Sequence, residues 1–285
     1  MIKDLFKNGR PTLSFEVYPP KKDDDFDSVF DILRALNNLH PDFISVTYGA
    51  GGSKSKRTLE IASFLQNDLG VEALAHLTCV GNKKEDILSV LEGFEKSNIT
   101  QVLALRGDRP RDMTDEQFDS RDFAHASDLI TYIKEHTSLS CAGACYPEKH
   151  FECFSKETDI LNLKKKQEAG ADFFITQLFM DNDYFYDFKD RAERKGITIP
   201  ICAGIMPVTS ASSLGTTISL SGSSIPKAFS DLIATYGDKP EEMRKAGIDY
   251  AIRQILDLKA NGVDGIHLYT MNRPKMAGEI VAAIS

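Results

Sequence analysis

The sequence predicts a single-domain (β/α)8 TIM barrel that spans residues 1–285, and two observations carry this prediction. First, eight short and almost continuously apolar runs alternate with helical patterns along the whole chain. Such runs, separated by helices, are typical of parallel strands joined by right-handed crossovers. Second, no Ser/Gly-rich linker or change in composition divides the chain. Eight strand–helix units at this length favour a closed barrel.

The predicted strands are identified by their apolar content and by the turn residues that end them. A Pro-Pro pair ends the first strand, a glycine-rich segment ends the second, and the sequence Arg-Gly-Asp ends the fourth. The eight strands are predicted at residues 12–18, 42–48, 72–79, 102–105, 139–146, 172–179, 198–205 and 263–269.

The predicted helices fill the intervals, because apolar residues recur there at helical spacing. The main alternative is a doubly wound open sheet, but no Gly-x-Gly-x-x-Gly turn follows the first strand, which disfavours a dinucleotide-binding sheet of that kind. The helices are predicted at residues 26–38, 55–69, 83–97, 122–136, 156–169, 182–195, 240–261 and 274–284, with further helices after the seventh strand.

The composition argues against several classes of function. The chain is 42% hydrophobic and 27% charged, as in a soluble globular protein, and its net charge is −8 without a basic block. We therefore expect no nucleic-acid or membrane partner and a cytoplasmic location, since residues 1–10 lack the apolar run of a signal peptide. The five cysteines include no C-x-x-C pair, so we expect reduced thiols and no metal site. A homo-oligomer is expected, although barrel helices can face solvent or a partner equally well.

Polar residues occupy the ends of the predicted strands, where the apolar runs stop. In a parallel barrel the carboxyl ends of the strands share one face, and active sites lie on that face. A site is therefore predicted from Glu16, Thr47, His76, Arg106, Asp108, Tyr146, Gln177 and Tyr269.

Glu16 and Asp108 are the candidate acid–base residues. Glu16 has apolar neighbours in the sequence, and apolar surroundings favour a neutral carboxyl, so we expect a raised pKa suited to a general acid. Asp108 follows Arg106, which is expected to keep it ionised. Two carboxyls in different environments suggest one proton donor and one charge stabiliser. The alternative for Glu16 is a strand that points its side chain at solvent. The alternative for Asp108 is a surface ion pair with Arg106.

A further group of residues has the chemistry of an anion site. The segment 49–53 before a helix resembles a nest of backbone N–H groups that favours phosphate, although a plain tight turn is the alternative. The helix after the fifth strand has polar residues that suit a pyrophosphate, although a solvated helix face would look the same. These helix residues are Asp159, Asn162, Lys165 and Lys166.

Two histidines allow more than one interpretation. His76 lies in a run too apolar for a surface strand, so a histidine satisfied within the core is the default. His150 lies in the loop after the fifth strand. A loop position at that end of a barrel suits a ligand contact.

Seven sequence blocks are distinctive in combination: SFEVYPP at 14–20, FISVTYGAGG at 43–52, AHLTC at 75–79, LALRGDRP at 103–110, YPEKH at 146–150, ITQLF at 175–179 and YTMNR at 269–273. Any one of them is a modest signal. In this order, and over nearly the whole chain, they resemble the methylenetetrahydrofolate reductase family.

This resemblance implies a flavoprotein barrel that holds FAD at the carboxyl ends of its strands. NADH or NADPH would reduce FAD and leave. The substrate 5,10-methylenetetrahydrofolate would then enter and be reduced to 5-methyltetrahydrofolate, a ping-pong reaction of one-carbon and methionine metabolism.

The resemblance also implies roles for individual residues. Glu16 matches the family's acid, Asp108 an aspartate near the flavin and the folate pterin, and Gln177 a contact of folate and nicotinamide. Thr47 matches a nicotinamide contact and Arg273 a folate-binding arginine. Contacts of FAD are matched by Tyr48, Ala50, His76, Arg106, Gly107, Asp108, Ala126, Tyr146, His150, Asp159, Asn162 and Lys166, and Lys165 stands where an arginine is common.

The chain departs from the family pattern at a few positions. His125 stands where a tyrosine is frequent. Ser213 falls where a glutamine often meets folate, and Thr217 where a phenylalanine often packs on the nicotinamide. These departures leave open the choice between NADH and NADPH and the binding of a polyglutamate tail. The S-adenosylmethionine-sensing domain of larger family members is not expected here.

Two other functions stay open at this point. A barrel that binds methyltetrahydrofolate and transfers its methyl group without flavin would also explain acidic residues at the strand ends. A non-catalytic barrel that binds folate or flavin is suggested only by the altered segment 209–220. The colour of the protein and its turnover separate the three functions.

Overall fold

Eight parallel strands close into a barrel in the order in which they occur in the chain. The computed structural model describes residues 1–20, 26–48, 52–110 and 112–285. The first strand pairs with the second and with the eighth, which closes the sheet. The predicted (β/α)8 barrel is therefore confirmed, and the open doubly wound sheet is wrong.

The barrel consists of eight strands with helices on the outside. The strands are β1 (Thr12–Val17), β2 (Phe43–Val46), β3 (Glu72–Thr78), β4 (Gln101–Leu105), β5 (Ser140–Cys145), β6 (Ala171–Thr176), β7 (Ile201–Ile205) and β8 (Gly265–Tyr269). The helices are α1 (Ile2–Leu5), α2 (Phe26–Asn37), α3 (Gly52–Ser63), α4 (Lys84–Lys96), α5 (Asp115–Asp119), α6 (Ala126–His136), α7 (Lys156–Glu168), α8 (Asn182–Arg194), α9 (Ala211–Ser221), α10 (Lys227–Tyr236), α11 (Pro240–Ala260) and α12 (Pro274–Ile284).

Most differences from the predicted elements lie at their ends. Predicted strand 198–205 begins only at Ile201, because the N–H groups of Thr198 and Ile199 donate to the side-chain oxygen of Gln167 and Pro200 has no N–H. The predicted helix 55–69 ends as a π-helical turn, Phe64–Asp68. The short helices α1 and α5 were not predicted, since four or five residues carry too little periodicity to detect.

The N-terminal helix α1 closes the amino end of the barrel. Ile2 is fully buried against the interior cluster, and its N–H donates to the side-chain oxygen of Gln101 at 2.7 Å. The ring of Phe6 lies 5.3 Å from that of Phe173, measured between centroids. The opposite end of the barrel is thus the end at which the polar strand ends collect.

The barrel interior changes from apolar to polar towards the carboxyl ends of the strands. Phe43, Leu74 and Leu103 belong to a buried interior cluster. The ring of His267 stacks on Phe43 with centroids 6.1 Å apart, and the carboxyl of Glu16 lies beside His267. Alternation along β1 therefore points Glu16 into the barrel, and the solvent-facing alternative is wrong.

Four of the five cysteines fill buried space, and the fifth, Cys153, is partly exposed. Cys141 and Cys202 are fully buried, and burial raises the pKa of each thiol to about 12. In the described residues, no group of three or more His, Cys, Asp or Glu side chains is arranged to hold a metal ion. Within the same ranges, no helix has both the length and the apolar character needed to cross a membrane.

A largely buried carboxylate joins the amino ends of β5 and β6. Asp172 Oδ2 accepts hydrogen bonds from the hydroxyl of Ser140 at 2.7 Å and from the ammonium group of Lys134 at 3.1 Å. It also accepts one from the N–H of Cys141 at 3.1 Å. Burial by itself raises the pKa of Asp172, but the hydrogen bonds from Ser140 and Lys134 outweigh it, so the pKa is lowered.

We expect Asp172→Ala to lower the free energy of unfolding by about 2–4 kcal/mol at pH 7, because Ser140 and Lys134 lose their acceptor. A carboxyl with a lowered folded pKa stabilises the protein above its unfolded pKa of about 4, and this contribution is lost as the pH falls through the folded value. The difference between the two proteins should therefore shrink from pH 7 to pH 3, as measured by urea denaturation. Asp231→Ala removes an exposed pair with Lys227 and should cost less than about 1 kcal/mol. Equal losses in the two variants would contradict the assignment.

Candidate active site

Glu16 lies between two imidazoles at the mouth of the barrel. Its Oε2 atom is 3.6 Å from Nε2 of His76 on β3 and 3.7 Å from Nε2 of His267 on β8. The side chain of Glu16 is 22% exposed, against 7% for His76 and 0% for His267. A molecule in the mouth can therefore reach the carboxyl more readily than it can reach either imidazole.

The surroundings of Glu16 correct an expectation from the sequence. Burial by itself raises the pKa of Glu16, but the contact with His267 and the charge interactions with His76 and His267 outweigh burial and lower it. The raised pKa expected from the sequence is therefore wrong. The apolar neighbours Phe15 and Val17 belong to the core between sheet and helices, and side chains from other strands surround the carboxyl instead.

His76 is not a satisfied core histidine. Burial lowers the pKa of His76 to about 4, so its ring is neutral at pH 7. Its buried Nε2 atom has no hydrogen-bond partner among the described residues. A buried polar atom without a partner is costly, so this atom is a natural contact for a ligand or a water molecule.

His267 was not selected from the sequence, yet it is the centre of the cluster. Its Nδ1 is 2.8 Å from the hydroxyl of Ser14, and its Nε2 is 3.4 Å from that of Ser45. The Ser14 hydroxyl is also 3.2 Å from the carbonyl oxygen of Ile266. The sequence carries a signal for His267, because it is a polar residue within the apolar run GIHLY, two positions before Tyr269. His76 was identified by the same kind of signal.

A cavity of about 330 Å³ lies at the carboxyl ends of β4 and β5. The carboxyl–imidazole cluster lies at the same end of the barrel, because Glu16 and His267 are near the carboxyl ends of β1 and β8. The cavity brings together these residues predicted from the sequence: Arg106, Ala126, Tyr146, His150, Asp159, Asn162, Lys165 and Lys166. Its lining also includes residues that sequence reasoning did not assign to a site, namely His125, Ser127, Glu152, Cys153, Phe154 and Thr158.

Lys166 supplies a partly buried positive charge to the cavity. Its ammonium group donates to the carbonyl oxygen of Ala144 at 2.8 Å and lies 5.8 Å from the centroid of the Tyr146 ring. Burial lowers the pKa of Lys166 and raises that of Tyr146. An ammonium group has three donors, so Lys166 keeps donor capacity for an anion.

His150 presents a neutral donor to the same cavity. Its Nδ1 accepts a hydrogen bond from the N–H of Glu152 at 3.2 Å, so the neutral ring carries its proton on Nε2. Burial, followed by the charge of Arg106, lowers the pKa of His150. The backbone N–H of His150 donates to Asp159 at 3.1 Å, and burial raises the pKa of Asp159.

Arg106 is hydrogen-bonded to Glu152, not to Asp108. Both terminal nitrogens of Arg106 donate to the carboxylate of Glu152, one of them at 3.0 Å. Asp108 is exposed and interacts with Arg106 through charge alone. Gly107 separates the two with a φ of +84°, and a Cβ there would lie 2.8 Å from Val80. This turn directs Asp108 away from the guanidinium. The expected pairing of Arg106 with Asp108 is therefore replaced by a pairing of Arg106 with Glu152, which the sequence did not indicate.

The other predicted residues that the structure describes are not part of the cavity lining. Gln177 follows β6, and its side-chain oxygen accepts a hydrogen bond from the N–H of Leu178 at 2.8 Å. Arg273 is exposed after β8 and donates to the hydroxyl of Thr209 at 3.0 Å. Thr47 and Tyr48 follow β2 and are partly buried, whereas Ala50 and the rest of segment 49–51 are outside the described residues.

Comparison with known proteins identifies similar families and folds. The family model for methylenetetrahydrofolate reductase matches residues 1–285. The chain is 35% identical over 289 residues to methylenetetrahydrofolate reductase (NADH) 1 of Arabidopsis thaliana. This alignment covers 97% of this chain and 48% of the plant protein. The chain is also 32% identical over 269 residues to 5,10-methylenetetrahydrofolate reductase of Escherichia coli K12. This alignment covers 94% of this chain and 89% of the bacterial protein. The chain thus spans about half the length of the plant relative and most of the bacterial one.

A solved structure shares the fold over the whole chain. An uncharacterized protein from Clostridium thermocellum that binds two copies of 5-methyl-5,6,7,8-tetrahydrofolic acid superposes with a TM-score of 0.66. The match covers 100% of this chain and 98% of that protein at 14% sequence identity. At this identity the likeness concerns the barrel fold alone.

We expect Glu152→Gln to bind inorganic pyrophosphate roughly three- to tenfold more tightly, because the bidentate carboxylate no longer competes for Arg106. Calorimetry on protein stripped of bound small molecules measures this affinity. Asp115→Asn is the matched control, since it releases Arg109 from an exposed ion pair that does not line the cavity. An unchanged or weaker affinity in Glu152→Gln would show that Glu152 does not restrict access to Arg106.

Proposed function

Because the chain belongs to the methylenetetrahydrofolate reductase family, we propose that it reduces 5,10-methylenetetrahydrofolate to 5-methyltetrahydrofolate, with FAD as cofactor and NADH or NADPH as electron donor. The observation that carries the proposal is the position of Glu16. Its carboxyl faces the mouth between two buried imidazoles, at the end of the barrel that also holds a cavity lined by cationic side chains.

The donors of the cavity fit FAD. Arg106 and Lys166 supply positive charge that suits a pyrophosphate, and His150 supplies a neutral N–H donor. The partnerless Nε2 of His76 suits a polar atom of the flavin ring at the mouth. When bound, FAD would accept a hydride from the nicotinamide and pass it to the methylene carbon of the folate, so that the two substrates would use the mouth in turn.

Glu16 would provide the proton that opens the five-membered ring of the folate. Opening gives a cationic iminium and requires a proton at the departing nitrogen. The lowered pKa of Glu16 means that the carboxyl is ionised at pH 7 and must take up a proton before it can act as the acid. A folate that covers the mouth would remove water from Glu16, and this desolvation raises the pKa.

Three other residues would orient the substrate and stabilise its charge. Asp108 is exposed at the end of β4, where its negative charge would favour a cationic iminium nearby. The amide of Gln177 can contact either the folate or the nicotinamide. The exposed guanidinium of Arg273 suits the carboxylates of the folate tail.

Glu16→Gln should separate the two half-reactions. We expect FAD binding and NAD(P)H oxidation to stay near those of the unaltered protein, while the folate step slows by about 10²–10⁴-fold, because the amide has no proton to donate. Anaerobic visible absorbance measures both steps: NADH or NADPH bleaches the flavin, and methylenetetrahydrofolate restores its colour. Glu72→Gln, at the amino end of β3, is the control and should leave both steps unchanged.

Other outcomes of the same experiment would point elsewhere. Full folate turnover by Glu16→Gln would remove Glu16 from the role of acid. An unaltered protein that bleaches but does not regain its colour would contradict the folate assignment. A colourless protein that FAD cannot reconstitute would contradict the flavin assignment and favour methyl transfer without flavin.

The folate step should accelerate as the pH falls from 8.5 to 6. A general acid with a lowered pKa is mostly ionised in this range, so the protonated fraction rises by up to about tenfold for each pH unit. Single-turnover rates at limiting folate measure this slope, and Glu16→Gln should flatten it. A rate that rises with pH in the unaltered protein would contradict proton donation by Glu16.

A further inference from the structure

The residues just after β8 hold the backbone that follows the Glu16 side chain, from the carbonyl group of Glu16 to Tyr18. The hydroxyl of Thr270 donates to the carbonyl oxygen of Glu16 at 2.7 Å. The amide of Asn272 accepts from the N–H of Tyr18 at 3.1 Å and donates to the carbonyl oxygen of Tyr18 at 2.9 Å. These three hydrogen bonds form a clasp of Thr270 and Asn272 on residues 16–18.

The clasp continues the strand pairing beyond the point where β8 ends. The register of β1 with β8 stops at Glu16 opposite Tyr269. Unpaired strand ends open more readily than the middle of a sheet. The side chains of Thr270 and Asn272 replace the missing ladder bonds on the β8 side, while β2 pairs with β1 as far as Val17. Glu16 is therefore held on both flanks of its strand.

The chain adopts an unfavourable backbone conformation to place the clasp. Met271 and Asn272 have φ values of 52° and 54°, in the left-handed region that residues other than glycine rarely adopt. The turn is closed by a hydrogen bond from the N–H of Arg273 to the carbonyl oxygen of Thr270 at 2.9 Å. Such strain persists where the surrounding contacts enforce it, and it concentrates at functional sites.

We propose that Thr270 and Asn272 are positioning residues that hold Glu16 against His76 and His267. They act on the backbone of β1, and their effect on catalysis passes through Glu16. The Glu16 carboxyl lies 3.6 Å and 3.7 Å from the two imidazoles, so a displacement of about 1 Å is enough to change these contacts. The catalytic consequence rests on the proposed function, whereas the position of the carboxyl does not.

The kinetic test uses Thr270→Val and Asn272→Ala. We expect each to slow the folate step roughly 10–100-fold and to leave flavin reduction by NAD(P)H near that of the unaltered protein, because only the acid is displaced. Thr270→Ser keeps the hydroxyl and should restore the folate step. A merely structural role would slow both half-reactions together, and that result would overturn the proposal.

Asn98→Ala is the matched control for these variants. Asn98 also has a left-handed conformation, with a φ of 59°, and its amide donates to the side chain of Asn67 at 3.0 Å. It lies just before β4, at the opposite end of the barrel from Glu16. Asn98→Ala should therefore lower the stability of the protein as the loss of any left-handed asparagine does, while both half-reactions stay unchanged. A selective loss of the folate step in Asn98→Ala would count against the proposal.

A second readout does not depend on turnover. The groups that face the Glu16 carboxyl are His76 on β3 and His267 and Tyr269 on β8. Carboxyl carbon NMR of labelled protein, with Glu16→Gln to assign the signal, measures the pKa of Glu16 directly. Release of the clasp should raise this pKa towards the ordinary value, because the carboxyl leaves the imidazoles.

The two readouts distinguish the two proposals. An unshifted pKa of Glu16 in both clasp variants would overturn the positioning role. If the unaltered protein turned over no folate while the pKa of Glu16 shifted in the variants, the proposed function would fail and the clasp would stand.

Discussion

The pairing of β1 with β8 is the constraint on which the site depends. It joins the first and last strands of the barrel and sets Glu16 opposite Tyr269. The same closure brings His267 against the carboxyl and leaves the end of β8 in reach of the β1 backbone. Residues from the two ends of the chain therefore form one cluster, and its geometry depends on the complete circle of eight strands.

The site separates two kinds of chemistry within a short distance. In the cavity, Lys166 and Arg106 keep positive charge partly out of water. Lys166 keeps donor capacity beside the carbonyl oxygen of Ala144, whereas the carboxylate of Glu152 engages both terminal nitrogens of Arg106. At the mouth, the ionised carboxyl of Glu16 lies between two imidazoles, and that of His76 is neutral. A change in the solvation of this carboxyl shifts its pKa and therefore its readiness to take up a proton. The barrel can support both the cationic cavity and the carboxyl–imidazole cluster, because alternation along the β-strands fixes which side chains point inward.

Local patterns predicted the elements and most of the polar residues, but not their partners. Strand and helix periodicity located the eight units, and the polar strand ends identified Glu16, His76, Arg106 and Tyr146. The pKa of Glu16 was predicted in the wrong direction, because its neighbours in the sequence face the outer core and its neighbours in space come from β3 and β8. Glu152 escaped notice for the same reason, since nothing in its local sequence shows that it faces Arg106.

The sequence by itself determined the fold class, the end of the barrel proposed for the site and the family resemblance, because these depend on periodicity, on the direction of parallel strands and on short local blocks. Only the tertiary structure decided the charge state of Glu16, the central position of His267, the pairing of Arg106 and the clasp of Thr270 and Asn272 on β1. Each of these joins strands or loops that are distant in the chain. Their distances and their exclusion of water arise when the barrel closes.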